Sequence, residues 1–338
     1  MASGILELSG SIDMAQFWPT GESDADTIKV TPSGLSAFRF RTHPSAPFKI
    51  THAFEGATVR GKVSKTAIDT KGRVTIRLQG IDAPELHYQP TVPTMKGVKP
   101  TPVQRTAFNA ANGNFRQKFG ETATIALLKL LTQAGTSPIG CTVRTTVDQP
   151  GEVFDTFGRM VGDIFVTING VEKNANHWLC ENGWAFPTFY TSMTNSEITE
   201  LTMLSEKARR AKSGIWKKAS SDLNPFDRTL VFRKKGVPAP AGDVGLVILP
   251  KLFRRRSTFG IARLAKIAAG TFKGYLQQEP DACFLASEIL QEGLTASTPH
   301  KLDEFVTAAG TFSVGPKDLV FQENSSHVVD ANGKPVKW

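Results

Sequence analysis

The stretch "VTIRLQGIDAPE", residues 74–85, restricts the fold more than any other part of the chain. Val74, Ile76 and Leu78 alternate with Thr75, Arg77 and Gln79, the period of a strand with one buried face. Gly80 interrupts that alternation, and a turn built on Pro84 follows with Asp82 and Glu85 on either side of it. One arginine and two carboxylates therefore leave a sheet at a single corner.

The flanking sequence extends the sheet. "ATVRGKVSKTAIDTKGRVTIRLQGI" alternates in the manner of strands, with "DTKGR" as a hairpin turn, and "SDADTIKV" (23–30) reads as an Asx turn entering a strand. Helical spacing replaces alternation in "NFRQKFGETATIALLKLLTQA", where Ile125, Leu128 and Leu131 form one stripe and Glu121 suits the positive end of a helix beginning after Gly120. "GCTVRTTV" and "MVGDIFV" read as strands, "NANHWLCENG" as a short helix, and "NSEITELTMLSEKARRAKSGIW" as a long amphipathic one. The Pro-bearing segment "HYQPTVPTMKGVKPTP" reads as an exposed loop. This order of elements predicts an α+β domain on a small barrel.

Organisation follows from composition shifts. Residues 1–15 read as a polar leader, 16–218 as the main domain, 219–242 as a linker carrying "SSDLNPFDR" and "GVPAPAG", and 243–338 as a smaller mixed α/β C-terminal region. In that last region "GLVILPKLF" reads as a strand, and "KLFRRRS" as a basic patch or a solvated loop. No run of eighteen apolar residues predicts a membrane span, and the start of the chain lacks a signal-peptide pattern, so a cytoplasmic location is expected, with non-classical export as the alternative. Cys141, Cys180 and Cys283 are widely spaced and read as reduced core thiols, with no disulfide-linked partner. A net charge of +9 favours polyanions.

Hydrolysis of a phosphodiester calls for a carboxylate to take a proton from water, a hard cation on oxygen ligands, and guanidinium groups on the phosphoryl oxygens. Arg77, Asp82 and Glu85 provide one residue of each kind. The segment "RLQGIDAPE" resembles the motif of the staphylococcal nuclease-like (thermonuclease) family: an arginine, four residues, then Asp-x-Pro-Glu. The resemblance continues through "DTFGRMVGDIFV", "NHWLCENGWA" and "SEKARRAKSGIW".

The resemblance implies a five-stranded OB-type β-barrel with three helices that cleaves DNA or RNA with Ca2+, other divalent cations being compatible with the same ligands. Asp26 and Asp82 become the metal ligands, Glu85 the residue that activates water, and Arg77 and Arg159 the transition-state arginines. Asp26 lies about fifty residues before Arg77, which requires an inserted β segment at about 31–65. The competing segment "FEGATV" has Ala57 where the carboxylate belongs. In the inserted segment Arg39, Arg41 and Lys49 are expected to keep a sheet edge soluble. Phe157, Phe189 and Tyr190 are the expected base-stacking residues. The competing function is a degenerate barrel that binds nucleic acid or protein without cutting.

Overall fold

The computed structural model describes residues 4–34, 36–94, 99–224, 226–232, 245, 247–279, 281–324 and 326–336. The "GVPAPAG" part of the expected linker lies outside them. The chain divides into two compact units interleaved in sequence: Met1–Gln79, Thr124–Leu179 and Glu323–Trp338 form the first, Gly80–Ala123 and Cys180–Gln322 the second.

The first unit contains the barrel. Its strands are β1 (Gly4–Ile12), β2 (Thr27–Pro32), β3 (Val74–Leu78), β4 (Ile139–Val147) and β5 (Met160–Ile168). β1 pairs antiparallel with β4 from Gly4↔Val147 to Ile12↔Ile139, and with β2 at Gly10↔Pro32. β2 pairs antiparallel with β3, and β4 with β5. A parallel ladder between β3 and β5, with Met160 opposite Ile76, closes the ring. Closure leaves none of the five barrel strands with an unpaired edge of the ring.

Alternation in sequence becomes inside and outside. Leu6, Leu8, Ile28, Val30, Val74, Ile76, Val143, Met160 and Ile164 are fully buried. Each contributes about 1.5–3 kcal/mol by leaving water. At Gly10 a Cβ would lie 2.5 Å from Val30 Cγ1 and 2.6 Å from the Thr31 carbonyl oxygen, so only glycine lets β1 and β2 approach this closely.

Three expectations are corrected here. The polar leader is largely barrel wall: Leu6, Leu8, Gly10 and Ile12 face inward at a period of two, and Gly10 hides the pattern because it adds no hydrophobic side chain. "DTKGR" turns as expected, with Asp69 accepting from the Lys71 and Arg73 N–H groups. The strands beside it are not partners, since Ser64–Thr66 pairs with Thr58–Arg60 and β3 pairs with β2. The third correction concerns the end of the chain. His327–Val329 pairs with Thr58–Arg60 in the first unit, so 243–338 is not one contiguous region.

The inserted segment is a β excursion. Its strand Phe38–Arg41 pairs with β1, and Arg39 forms an ion pair with Glu7 there. Helix α2 (Gly120–Thr132) forms where helical spacing predicts it, as do α3 (Ala175–Glu181) and α4 (Asn195–Arg210). Helix α1 (Pro102–Ala111) was not expected, although Thr101 and Gln104 form a capping box that marks its start.

The second unit has its own core, which joins Phe108, Phe115, Phe186 and Ile215 to Leu252, Phe259, Ile261, Tyr275 and Phe321. The residues beyond 243 thus share a core with segments of the expected main domain. The expected strand "GLVILPKLF" is corrected: Pro250 opens helix α5 (Pro250–Leu264). Proline has no N–H for a ladder, but its fixed φ suits a first helical position. A four-stranded mixed sheet lies in this unit, ordered Phe189–Tyr190, Leu319–Phe321, Ala282–Leu285, His300–Lys301.

The three arginines of "KLFRRRS" form neither a free patch nor a loop. Arg255 pairs with Glu279 and Asp281, and Arg256 Nε donates to the Leu223 carbonyl oxygen at 2.9 Å. Burial alone would raise the Asp281 carboxyl, but Lys251 and Arg255 hold it at about 2, against an ordinary 3.8. A depressed carboxylate stabilises the folded state above the unfolded value and loses that contribution as pH falls toward the folded one, here about 2 kcal/mol lost between roughly pH 4.5 and 2. An Asp281→Asn variant is expected to be less stable at pH 7 and to lose less stability over this window. Urea unfolding of both proteins from pH 7 to 2.5 checks this, and identical pH profiles would contradict it.

Candidate functional site

In the first unit, pairing between β2 and β3 sets Thr27 opposite Arg77. The Asx turn before β2 forms as expected, with Asp24 Oδ1 accepting from the Thr27 N–H at 2.8 Å and the Asp26 N–H at 3.3 Å. Asp26 is buried, and its Oδ2 lies 3.3 Å from Arg77 Nη1. Arg77 Nη1 also donates to the Leu78 carbonyl oxygen at 3.2 Å.

Thr27 extends this cluster. Its hydroxyl donates to Asp26 Oδ1 at 3.2 Å and accepts from Arg159 Nη1 at 3.4 Å. Arg159 is held in turn by Asp155, with Nε 2.8 Å and Nη2 2.7 Å from Asp155 Oδ2. Asp155 Oδ1 accepts from the Phe157 and Arg159 N–H groups and so shapes the turn that delivers Arg159 to β5. Two arginines and a buried carboxylate from distant parts of the chain thus meet at one barrel edge. Ala57, the alternative position for the first carboxylate, is buried.

Phe157 is 44% exposed beside this edge, with Arg159 Cζ 5.6 Å and Lys62 Nζ 5.4 Å from its ring centroid. An exposed aromatic ring flanked by cations suits a base and its phosphate. Phe189 is corrected. It is fully buried, its strand pairs with Leu319–Phe321, and it has no face to offer a base. Tyr190 is half-buried, with its ring centroid 6.3 Å from that of Phe321.

The carboxylates of the corner lie in the second unit. Gly80 turns the chain with φ +73, and a Cβ there would lie 2.3 Å from Leu201 Cδ1. Ile81–Asp82 then pairs with Phe186–Pro187, setting Asp82 opposite Phe186. Asp82 is 1% exposed. Glu85 is held through its backbone by Gln117, whose N–H donates to the Glu85 carbonyl oxygen at 2.7 Å and whose Oε1 accepts from the Glu85 N–H at 3.3 Å. The Gln117 amide also donates to the Ile248 carbonyl oxygen, just before α5.

From α5, Arg254 reaches both carboxylates. Its Nη2 lies 3.1 Å from Asp82 Oδ2, and its Nη1 lies 3.4 Å from Asp82 Oδ1 and donates to Glu85 Oε1. Burial opposes the guanidinium charge, but Asp82 and Glu85 outweigh it and raise the Arg254 pKa well above the ordinary value. Sequence reasoning noticed the basic run and missed its partners, because 169 and 172 residues separate Arg254 from them. For Gln117, Thr27 and Asp155, only the Asp-to-Arg spacing of "DTFGR" carried a local signal.

The resemblance implies a calcium ion at this corner. Carboxylate oxygens are the right donors for a hard cation. However, both oxygens of Asp82 and Oε1 of Glu85 are engaged by a guanidinium, and among the described residues no group of three or more His, Cys, Asp or Glu side chains is arranged to hold a metal ion. As arranged, the Asp82–Glu85 pair does not fit the ion.

The family model of the staphylococcal nuclease homologues matches residues 75–218. No curated protein matches the chain. The matched span includes Arg77, Asp82, Glu85 and Arg159, while Asp26 and Arg254 lie outside it. The five-stranded barrel agrees with that family's fold. The three cysteines are free and buried, and no helix among the described residues is long and apolar enough to cross a membrane.

Gln117 is fully buried and spends both ends of its amide on backbone groups. Gln117→Ala should destabilise the protein by roughly 2–4 kcal/mol through the buried donors and acceptors it leaves unpaired. Denaturant unfolding measures this; a loss below about 0.5 kcal/mol would contradict the anchoring role.

Proposed function

We propose that this chain is a nuclease that hydrolyses phosphodiester bonds of DNA or RNA. The observation that carries the reading is the linked set Arg77–Asp26–Thr27–Arg159 on the barrel edge, with Phe157 exposed beside it. Guanidinium groups held in fixed orientation by carboxylates suit the non-bridging oxygens of a phosphate, whose negative charge grows in the transition state. Arg77 and Arg159 have this role, and Phe157 stacks a base. Tyr190 is a secondary aromatic contact.

Glu85 accepts the proton of the attacking water, whose oxygen bonds to phosphorus as the ester oxygen departs and takes a proton from solvent. Arg254 holds the Glu85 carboxylate in place through Oε1. Asp26 orients Arg77. Calcium is the ion that the family resemblance implies, and no step is assigned to it because the Asp82–Glu85 pair is engaged by Arg254.

That same engagement favours a second reading, in which the barrel binds nucleic acid without cleaving it. A carboxylate paired with a guanidinium is a weaker base than a free one. The two readings separate in a single assay. Purified protein is expected to degrade single-stranded DNA or RNA, and Arg77→Ala and Arg159→Ala should each reduce the rate by about a hundredfold or more with the fold retained by circular dichroism. Unchanged rates in both variants would remove the mechanism. Nucleic-acid binding without cleavage, in calcium, magnesium, manganese and chelator alike, would establish the second reading instead.

A further inference from the structure

We infer that Arg254 is the resident cation of the Asp82–Glu85 pair and excludes a divalent metal ion from it. The argument begins with the oxygens. A calcium ion would need them at roughly 2.3–2.6 Å. The Arg254 guanidinium already engages them, with Nη2 3.1 Å from Asp82 Oδ2 and Nη1 on Glu85 Oε1. A calcium ion at contact distance would have to compete with the guanidinium for these oxygens, and each cation repels the other.

The helix that carries Arg254 is built into the core of its unit. Leu252, Ser257, Phe259, Ile261 and Ala262 of α5 are fully buried. On either side of Arg254, Lys251 and Arg255 pair with Asp281, and Arg256 donates to the Leu223 carbonyl oxygen. Thr258 Oγ1 lies 2.9 Å from the Tyr88 hydroxyl, which ties α5 to the chain three residues beyond Glu85. Gln117 binds the Glu85 backbone and the Ile248 carbonyl oxygen, two residues before α5, at once. The helix that carries Arg254 and the turn that carries its two carboxylates are thus held by shared anchors.

The inference concerns the carboxylates that the proposed function uses, but it reads metal occupancy, so a protein without hydrolytic activity still decides it.

Calcium titration of the full chain by calorimetry tests the inference, with terbium luminescence as a second probe. Wild type is expected to show no calcium site that depends on Asp82. Arg254→Gln should gain one, at least about tenfold tighter than any wild-type binding, and the further change Asp82→Asn should remove it. Arg254→Lys should remain without the site. A wild-type calcium site that disappears in Asp82→Asn would overturn the inference without reference to any Arg254 variant. So would a folded Arg254→Gln protein that gains nothing.

Discussion

A carboxylate taken almost wholly out of water must find compensating positive charge, and Asp82, 1% exposed at the end of a short strand, is such a group. Arg254 supplies that charge and reaches Glu85 with the same guanidinium. The arrangement places demands on the rest of its unit. α5 must lie at a fixed height, its other arginines need partners of their own, and the Asp82–Glu85 turn must be held from behind. Glu279 and Asp281, the Leu223 carbonyl and buried Gln117 meet these demands.

The barrel unit is governed by a different constraint, the closing of a five-strand ring. Closure through the parallel β3–β5 ladder fixes which residue of β2 faces which residue of β3. That register brings Asp26 to Arg77 across a sequence separation of 51, and the turn shaped by Asp155 brings Arg159 to Thr27. The cluster of Asp26, Thr27, Arg77 and Arg159 is therefore a consequence of strand register more than of any local motif.

Much of this was legible in the sequence. Alternation at Val74, Ile76 and Leu78 located a wall, and the Asp-Ala-Pro-Glu turn located the carboxylates. Asp-x-Asp-Thr has the form of a turn entering a strand, and that turn forms, with Asp26 beside Arg77. Other parts left no one-dimensional trace. Glycine at an inward position disguised β1 as a leader, the direction in which Phe189 points cannot be read from its identity, and proline reversed the expected strand at Pro250 into a helix start. Arg254 shows the limit most clearly: a charge run tells nothing of its partners when they lie about half the chain away.

A double-mutant cycle between Arg254 and Asp82 tests the central claim most directly. Stabilities of wild type, Arg254→Met, Asp82→Asn and the double variant isolate the energy of the pair from that of each side chain alone. If the guanidinium compensates the buried carboxylate, the two substitutions couple by on the order of 1–3 kcal/mol, and the double variant is more stable than the sum of the single losses predicts. Strict additivity would contradict the account.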